Sequence, residues 1–223
     1  KPFDTTKNDN AALDRIFADA IKEKILGNNK EAEVLFLRFA EAKPKVAAAY
    51  YELARINLKE NNVVKAQQNI QKAISLDTGN KWYWELLGNI LANSNKYESA
   101  ADIFSKLARN HTPNEDYLLK SSLLYKNNKN YQRAIEELEK LVDQRGPDEE
   151  TLLQISQLYL KLNKIDDAAK ALQKIIDANP KEGRYYSLLA EMYLNNNNET
   201  KAKQIYIDAE QKFPEDISIQ LGL

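Results

Sequence analysis

Few residues in this chain have the chemistry for catalysis or metal binding. His111 is the one histidine, in "RNHTPNED", and there is no cysteine. A lone imidazole in a polar connector, with no His-Glu-x-x-His helix and no thiolate beside it, reads as a solvated turn residue. Carboxylates cluster at "PDEE" (147–150) and "IDD" (165–167), and both clusters stand at expected helix starts. Acidic groups there answer the positive end of the helix dipole, which is sufficient reason for them. The glycine patterns that cradle phosphates and the Gly-x-Ser-x-Gly nucleophile turn are missing. "NHT" at 110 and "NET" at 198 match the glycosylation acceptor, as chance allows in an Asn-rich chain. No enzyme and no cofactor or metal are expected.

What remains is the chemistry of recognition. Both tryptophans, Trp82 and Trp84, lie two apart in "NKWYWELLGNI". Residues two apart on a helix do not share a face. One is expected in the core and the other to look outward. Lys+Arg is 32 against Asp+Glu 33, a net charge of -1. That balance does not supply the electropositive face that nucleic acid or an anionic membrane surface needs. No apolar run approaches the ~18 residues of a membrane span. Hydrophobic residues at 43% and charged residues at 29% fit a helical chain with a buried core.

The elements that would position the tryptophans come from a period. Ala32, Ala66, Ala100, Ala134, Ala168 and Ala202 are spaced at 34 residues without an insertion. Four residues after each stands Phe36, Ile70, Phe104, Leu138, Leu172 or Tyr206, and sixteen before each stands Ile16, Tyr50, Trp84, Leu118, Leu152 or Tyr186. Each copy reads as two amphipathic helices. Trp84, Leu87, Gly88 and Leu91 form one stripe of the third copy, and Ala100, Phe104, Leu107 and Ala108 the other. Turns such as "KENN", "NNKN" and "NNNN" separate the two helices, and Asn tolerates the left-handed backbone that such turns require. Small residues at Ala32 or Gly88 let two helices approach, where Leu would cost about 1–3 kcal/mol. The expected fold is all-α: a solenoid of six helix-turn-helix repeats, 13–46, 47–80, 81–114, 115–148, 149–182 and 183–216, with 217–223 starting a further helix. Residues 1–11 read as a polar tether, and Asp19 and Glu23 as polar capping positions of the first unit.

This pattern resembles the tetratricopeptide repeat (TPR) family, on Trp84, Leu87, Gly88, Ala100, Phe104 and the same register across about residues 12–223. There are departures. The tyrosine late in the first helix is present at Tyr125, Tyr159 and Tyr193 but is Glu23, Asn57 and Leu91 in the first three copies. The closing proline is Thr78, Thr112 and Gly146 in the middle ones. The resemblance implies a right-handed α-solenoid that serves as a protein-interaction scaffold and whose first (A) helices line a concave groove. In that register the groove holds Tyr51, Arg55, Trp82, Glu85, Asn89, Lys120, Leu123, Gln154, Gln157 and Arg184. Trp84 is then the core tryptophan and Trp82 the groove one. The groove is mixed in charge, which suits a protein or peptide segment more than a polyanion. The Lys/Asn pair that clamps chaperone tails in this family is absent: the positions hold Phe17/Ile21, Tyr51/Arg55, Glu85/Asn89, Leu119/Leu123, Leu153/Gln157 and Ser187/Glu191.

The alternative reading is a non-catalytic TPR arm of a larger enzyme or sensor truncated at residue 223. Self-association through an open C-terminal stack is a third. The Asn- and Lys-rich, cysteine-free composition suits a bacterium, with a lean to the periplasm or envelope and the cytoplasm close behind. The partner's identity is carried by scattered side chains and forms no motif.

Overall fold

The structure is a computed structural model that describes residues 5–112 and 114–222. Among the described residues there are thirteen helices and no strand. By its internal contacts the chain divides into two compact units, Lys1–Leu107 and Ala108–Leu223. The first holds α1 (Thr5–Ile25), α2 (Asn29–Ala42), α3 (Ala47–Lys59), α4 (Val63–Leu76), α5 (Lys81–Asn93) and most of α6 (Tyr97–Asn110). The second holds α7 (Glu115–Asn127), α8 (Tyr131–Arg145), α9 (Glu149–Lys161), α10 (Ile165–Ala178), α11 (Gly183–Asn195), α12 (Glu199–Lys212) and the short α13 (Ile217–Gly222). Within each unit, helices pack on their chain neighbours in sequence order, and α13 packs on α11 and α12. This is the tandem stacking of an all-α solenoid. Helix α1 begins inside the segment 1–11 expected as a tether; residues 1–4 of that segment lie outside the described ones.

The periodic alanines explain the stacking. All six are 0% exposed, and the large apolar residue four positions on is at most 3% exposed in every copy. A second small residue recurs in the first helix of each repeat, again 34 apart: Ala20, Ala54, Gly88, Ser122, Ser156 and Ala190, all buried. Where that residue is serine, its hydroxyl finds a backbone partner across the pair. Ser122 Oγ donates to the Ala134 carbonyl and Ser156 Oγ to the Ala168 carbonyl, each at 3.1 Å. Burial of a hydroxyl in such tight packing is tolerated because it is hydrogen-bonded. At Gly88 the approach leaves no room for a side chain: a Cβ there would lie 2.9 Å from the Phe104 ring.

The turns repeat as strictly as the helices. Gly27, Asn61, Asn95, Lys129, Asn163 and Asn197, again 34 apart, all have positive φ, between 57° and 85°. Each closes its helix by a six-to-one bond, such as Asn62 N–H to the Asn57 carbonyl at 2.8 Å and Asn198 N–H to the Tyr193 carbonyl at 2.9 Å. Where a second asparagine follows, its side chain caps the next helix: Asn62 accepts from Lys65 N–H and Asn198 from Lys201 N–H. Lys129 is the one side chain in this series that resists the left-handed region (φ 60°). Lys129→Asn should therefore stabilise the chain by about 0.5–1 kcal/mol. A rise in the urea midpoint at unchanged slope would show it; a fall would mean that the lysine makes a contact worth more than the strain.

Trp84 corrects an expectation. It is half-buried, not core. Its indole N–H donates to the Thr78 carbonyl at 2.9 Å, and Lys106 Nζ lies 5.3 Å from the ring centre. The same register position acts alike elsewhere: Tyr50 OH donates to the Pro44 carbonyl and Gln220 Nε2 to the Pro214 carbonyl, each six residues back. Where the position is Leu118 or Leu152 it is buried, at 2% exposed. A polar-tipped side chain here stays at the rim because its tip fastens the turn that joins two repeats.

Candidate functional site

The ten residues predicted to form the binding face all lie on A helices, but the two units gather them differently. In the first unit, Tyr51 and Arg55 on α3 come together, the guanidinium 5.7 Å from the ring centre. Tyr51 also packs on Tyr83, with ring centres 5.0 Å apart and planes tilted by 38°. Tyr83 was not among the predicted residues, although it sits between the two tryptophans, and it is buried at 6% exposed. Burial raises the Tyr51 hydroxyl pKa above its ordinary value; the neighbouring Glu52 and Glu85 charges add to this and Arg55 opposes it. Glu52 is held by Lys24 from α1 and by Arg55 on its own helix. Trp82 stands apart from this ring pair: it is 56% exposed, with Lys81 Nζ 4.7 Å from its ring centre. Its backbone N–H is fixed by the Asn80 side chain at 3.1 Å, which caps α5. Glu85 is half-buried and Asn89 exposed on the same helix.

In the second unit, Leu123, Gln154 and Gln157 line one cavity of about 310 Å³ between α7 and α9. The other contributors on α7 are Leu119, Ser122 and Lys126, and on α9 Leu158 and Lys161, with Tyr131 from the start of α8. Leu119 and Leu123 are four apart on α7 and remain 39% and 51% exposed. Lys126 and Lys161 stand in the last turns of their helices and are exposed. Lys120 is exposed on α7 and does not line this cavity. Arg184 is not part of it either. It bonds the Tyr185 hydroxyl at 2.6 Å and pairs with Glu149 at 3.4 Å and Glu182 at 3.5 Å. Lys126 and Lys161 were not among the ten residues expected in the groove, and no motif announces their convergence on one cavity.

The carboxylate clusters have structural work. Asp148 caps α9 through Thr151 N–H at 3.0 Å and pairs with Arg145 at 2.8 Å. Burial alone would raise its pKa; the hydrogen bonds from Thr151 and Arg145 outweigh that and hold it below the ordinary carboxylate value. Asp166 pairs with Lys201 at 3.0 Å and Asp167 with Lys170 at 2.9 Å. Among the described residues no group of three His, Cys, Asp or Glu side chains is placed to hold a metal ion, and no helix is long and apolar enough to cross a membrane.

The comparisons with known proteins bear on the fold. No curated protein matches this sequence. Among solved structures, a tetratricopeptide repeat protein from Parabacteroides merdae ATCC 43184 superposes with a TM-score of 0.60 at 16% identity, over 91% of this chain and 80% of that one. The Naa15/Naa10 complex bound to HypK-THB gives 0.70 at 10% identity, over 95% of this chain and 33% of that one. YrrB, described as a TPR protein with an unusual peptide-binding site, gives 0.51 at 19% identity, over 83% and 96%. At these identities the likeness is one of fold. One tetratricopeptide repeat family model matches residues 26–81 and 85–150, more than half of the chain, and a second matches 127–192. With the 34-residue register buried as that repeat requires, the chain belongs to the tetratricopeptide repeat family.

Proposed function

We propose that this chain is a non-enzymatic scaffold that holds a segment of another protein against the faces of its A helices. A protein-interaction scaffold is what its repeats and its structural neighbours support in general. The observation that carries the finer reading is that large apolar side chains stay open on the A helices, although Val34 and Val64 are also exposed on B helices. Trp82, Leu119 and Leu123 are 56%, 39% and 51% exposed, while the packing positions of the same helices are closed. Large aromatic and apolar side chains on an outward face favour partner contacts, and tryptophan is enriched among residues that dominate binding energy. YrrB, similar in fold, is described as having a peptide-binding site.

The test is capture from an extract of the source organism by wild type, by Trp82→Ala and by Leu123→Ser. All three should melt within a few degrees of one another, since Trp82 and Leu123 support no buried contact. A partner held by wild type and lost by either variant supports the reading and names the unit involved. A partner held equally by all three moves the site off these faces. Self-association is a second reading, favoured by Ile217 and Leu221, 70% and 83% exposed on α13. Sedimentation over a dilution series would separate it from partner binding.

A further inference from the structure

We infer that the cavity between α7 and α9 selects an extended, internal segment of a partner protein in which a bulky apolar side chain is followed by acidic ones. This rests on the A-helix face being the binding face, and adds the chemistry of what binds there. The floor is aliphatic: exposed Leu119 and Leu123, with Leu158 buried beneath at 4% exposed. At about 310 Å³ the space is at the lower limit for small-molecule sites (roughly 300–1,000 Å³), and it suits one large side chain. One wall carries Gln154 and Gln157, whose carboxamides both donate and accept, as a peptide backbone requires of its partner.

The charge at the rim sets the selectivity. Among the described residues no carboxylate lines the cavity, while two lysines do; an acidic group bonded to its wall, Glu150, accepts from Gln154 Nε2 at 3.4 Å. Among the described residues, Lys126 and Lys161 are in no ion pair or side-chain hydrogen bond. Some other basic groups of this unit are paired, Lys140 with Glu137, Lys170 with Asp167, Lys201 with Asp166 and Arg145 with Asp148, while Lys129, Lys174, Lys181 and Lys203 are in no ion pair among the described residues. What sets Lys126 and Lys161 apart is that both line this one cavity. Last-turn lysines do favour their own helix ends, but that leaves their ammonium groups open to a carboxylate. The spacing fits an extended chain. Lys126 is three residues beyond Leu123, about 4.5 Å along α7 before the reach of its side chain. Alternate residues of an extended segment fall on one side about 6.8 Å apart. An apolar residue over Leu119 and Leu123 therefore puts an acidic residue two positions on within reach of the lysines. Two ammonium groups on separate helices match successive carboxylates along a segment better than one chain terminus.

The experiment pans a phage-displayed library of random twelve-residue peptides, flanked on both sides by constant sequence, against the full chain. Enriched peptides are resynthesised with acetylated and amidated ends and titrated by fluorescence anisotropy. The expected result is enrichment of Leu, Ile, Met or Phe followed within three residues by Asp or Glu. Binding should weaken at least tenfold in Lys126→Glu/Lys161→Glu and in Leu123→Ser, and weaken as salt rises. Circular dichroism melting should be unchanged in Leu123→Ser and fall by only a few degrees in the lysine variant, whose new charges oppose two helix dipoles, with every variant folded at the temperature of the titration. Enriched peptides without acidic residues, or indifferent to the lysine reversals, overturn the inference while leaving the binding face intact. Peptides indifferent to Leu123→Ser as well overturn the binding face in this unit. Binding that needs a free C-terminus overturns the assignment to an internal segment, and a library that enriches nothing overturns the inference too.

Discussion

Phe104→Ala should destabilise the third repeat by about 3–5 kcal/mol, the cost of emptying a closed aromatic site. The residue is 1% exposed and its ring fills the space against Gly88. Against the ~5–15 kcal/mol that holds an ordinary domain together, such a loss is large. In a repeat array it should also be local, because each unit leans only on its neighbours. The chain contains its own reporter: both tryptophans are in α5, which packs on α6 through Gly88 and Phe104. On urea titration, the tryptophan fluorescence midpoint of the variant should fall further than the circular dichroism midpoint. A fall of under about 1 kcal/mol would show that the ring is not the wedge between the two helices. The coupling to Gly88 makes a second check. Gly88→Ala adds helix propensity of roughly 1 kcal/mol but drives a Cβ to 2.9 Å from the ring. It should be near neutral in the wild type and stabilising in Phe104→Ala, where the ring is gone.

The repeat architecture was legible because one register carries several independent physical demands. An alanine every 34 residues, an aromatic or aliphatic residue four beyond it and an asparagine turn all answer the same stacking geometry, and all are where the sequence puts them. Trp84 shows where a polarity label falls short. Its position is apolar in type, yet the indole N–H keeps it at the rim by reaching the Thr78 carbonyl. The early start of α1 was hidden for a different reason: "TTKNDNA" has no apolar stripe to announce a helix. The outward-facing Trp82 followed from phase alone. The Tyr51–Tyr83 contact did not, because it joins two repeats and depends on how closely they stack. The same holds for Lys126 and Lys161, 35 residues apart in sequence and brought to one cavity by the packing of α7 beside α9.

Tyr159→Phe should cost the chain stability below pH 10, and that cost should shrink as pH rises from 10 towards about 12. The Tyr159 hydroxyl donates to Glu139 Oε1 at 3.0 Å, joining α9 to the helix before it. Its pKa is pushed from 10.0 to about 12, first by burial, then by the hydrogen bond to Glu139 and by the charges of Glu139 and Asp167. All of these favour the protonated phenol in the folded chain. A group whose folded pKa is raised contributes stability that is complete below its unfolded pKa and is lost as pH rises through the folded one. The window is therefore pH 10 to about 12. The half-buried setting puts the contribution between about 1 and 3 kcal/mol. At pH 8 the variant should be the less stable by about 1 kcal/mol, the worth of one hydrogen bond. Above pH 10 wild type should lose stability more steeply than Tyr159→Phe, so that the two urea midpoints converge. The other tyrosines with raised values, Tyr51, Tyr83, Tyr185 and Tyr206, decline alike in both proteins and cancel in the comparison. Midpoints that stay parallel from pH 8 to 11.5 would mean that Tyr159 ionises as freely in the folded chain as in the unfolded one, and that the bond to Glu139 does not hold the two repeats together.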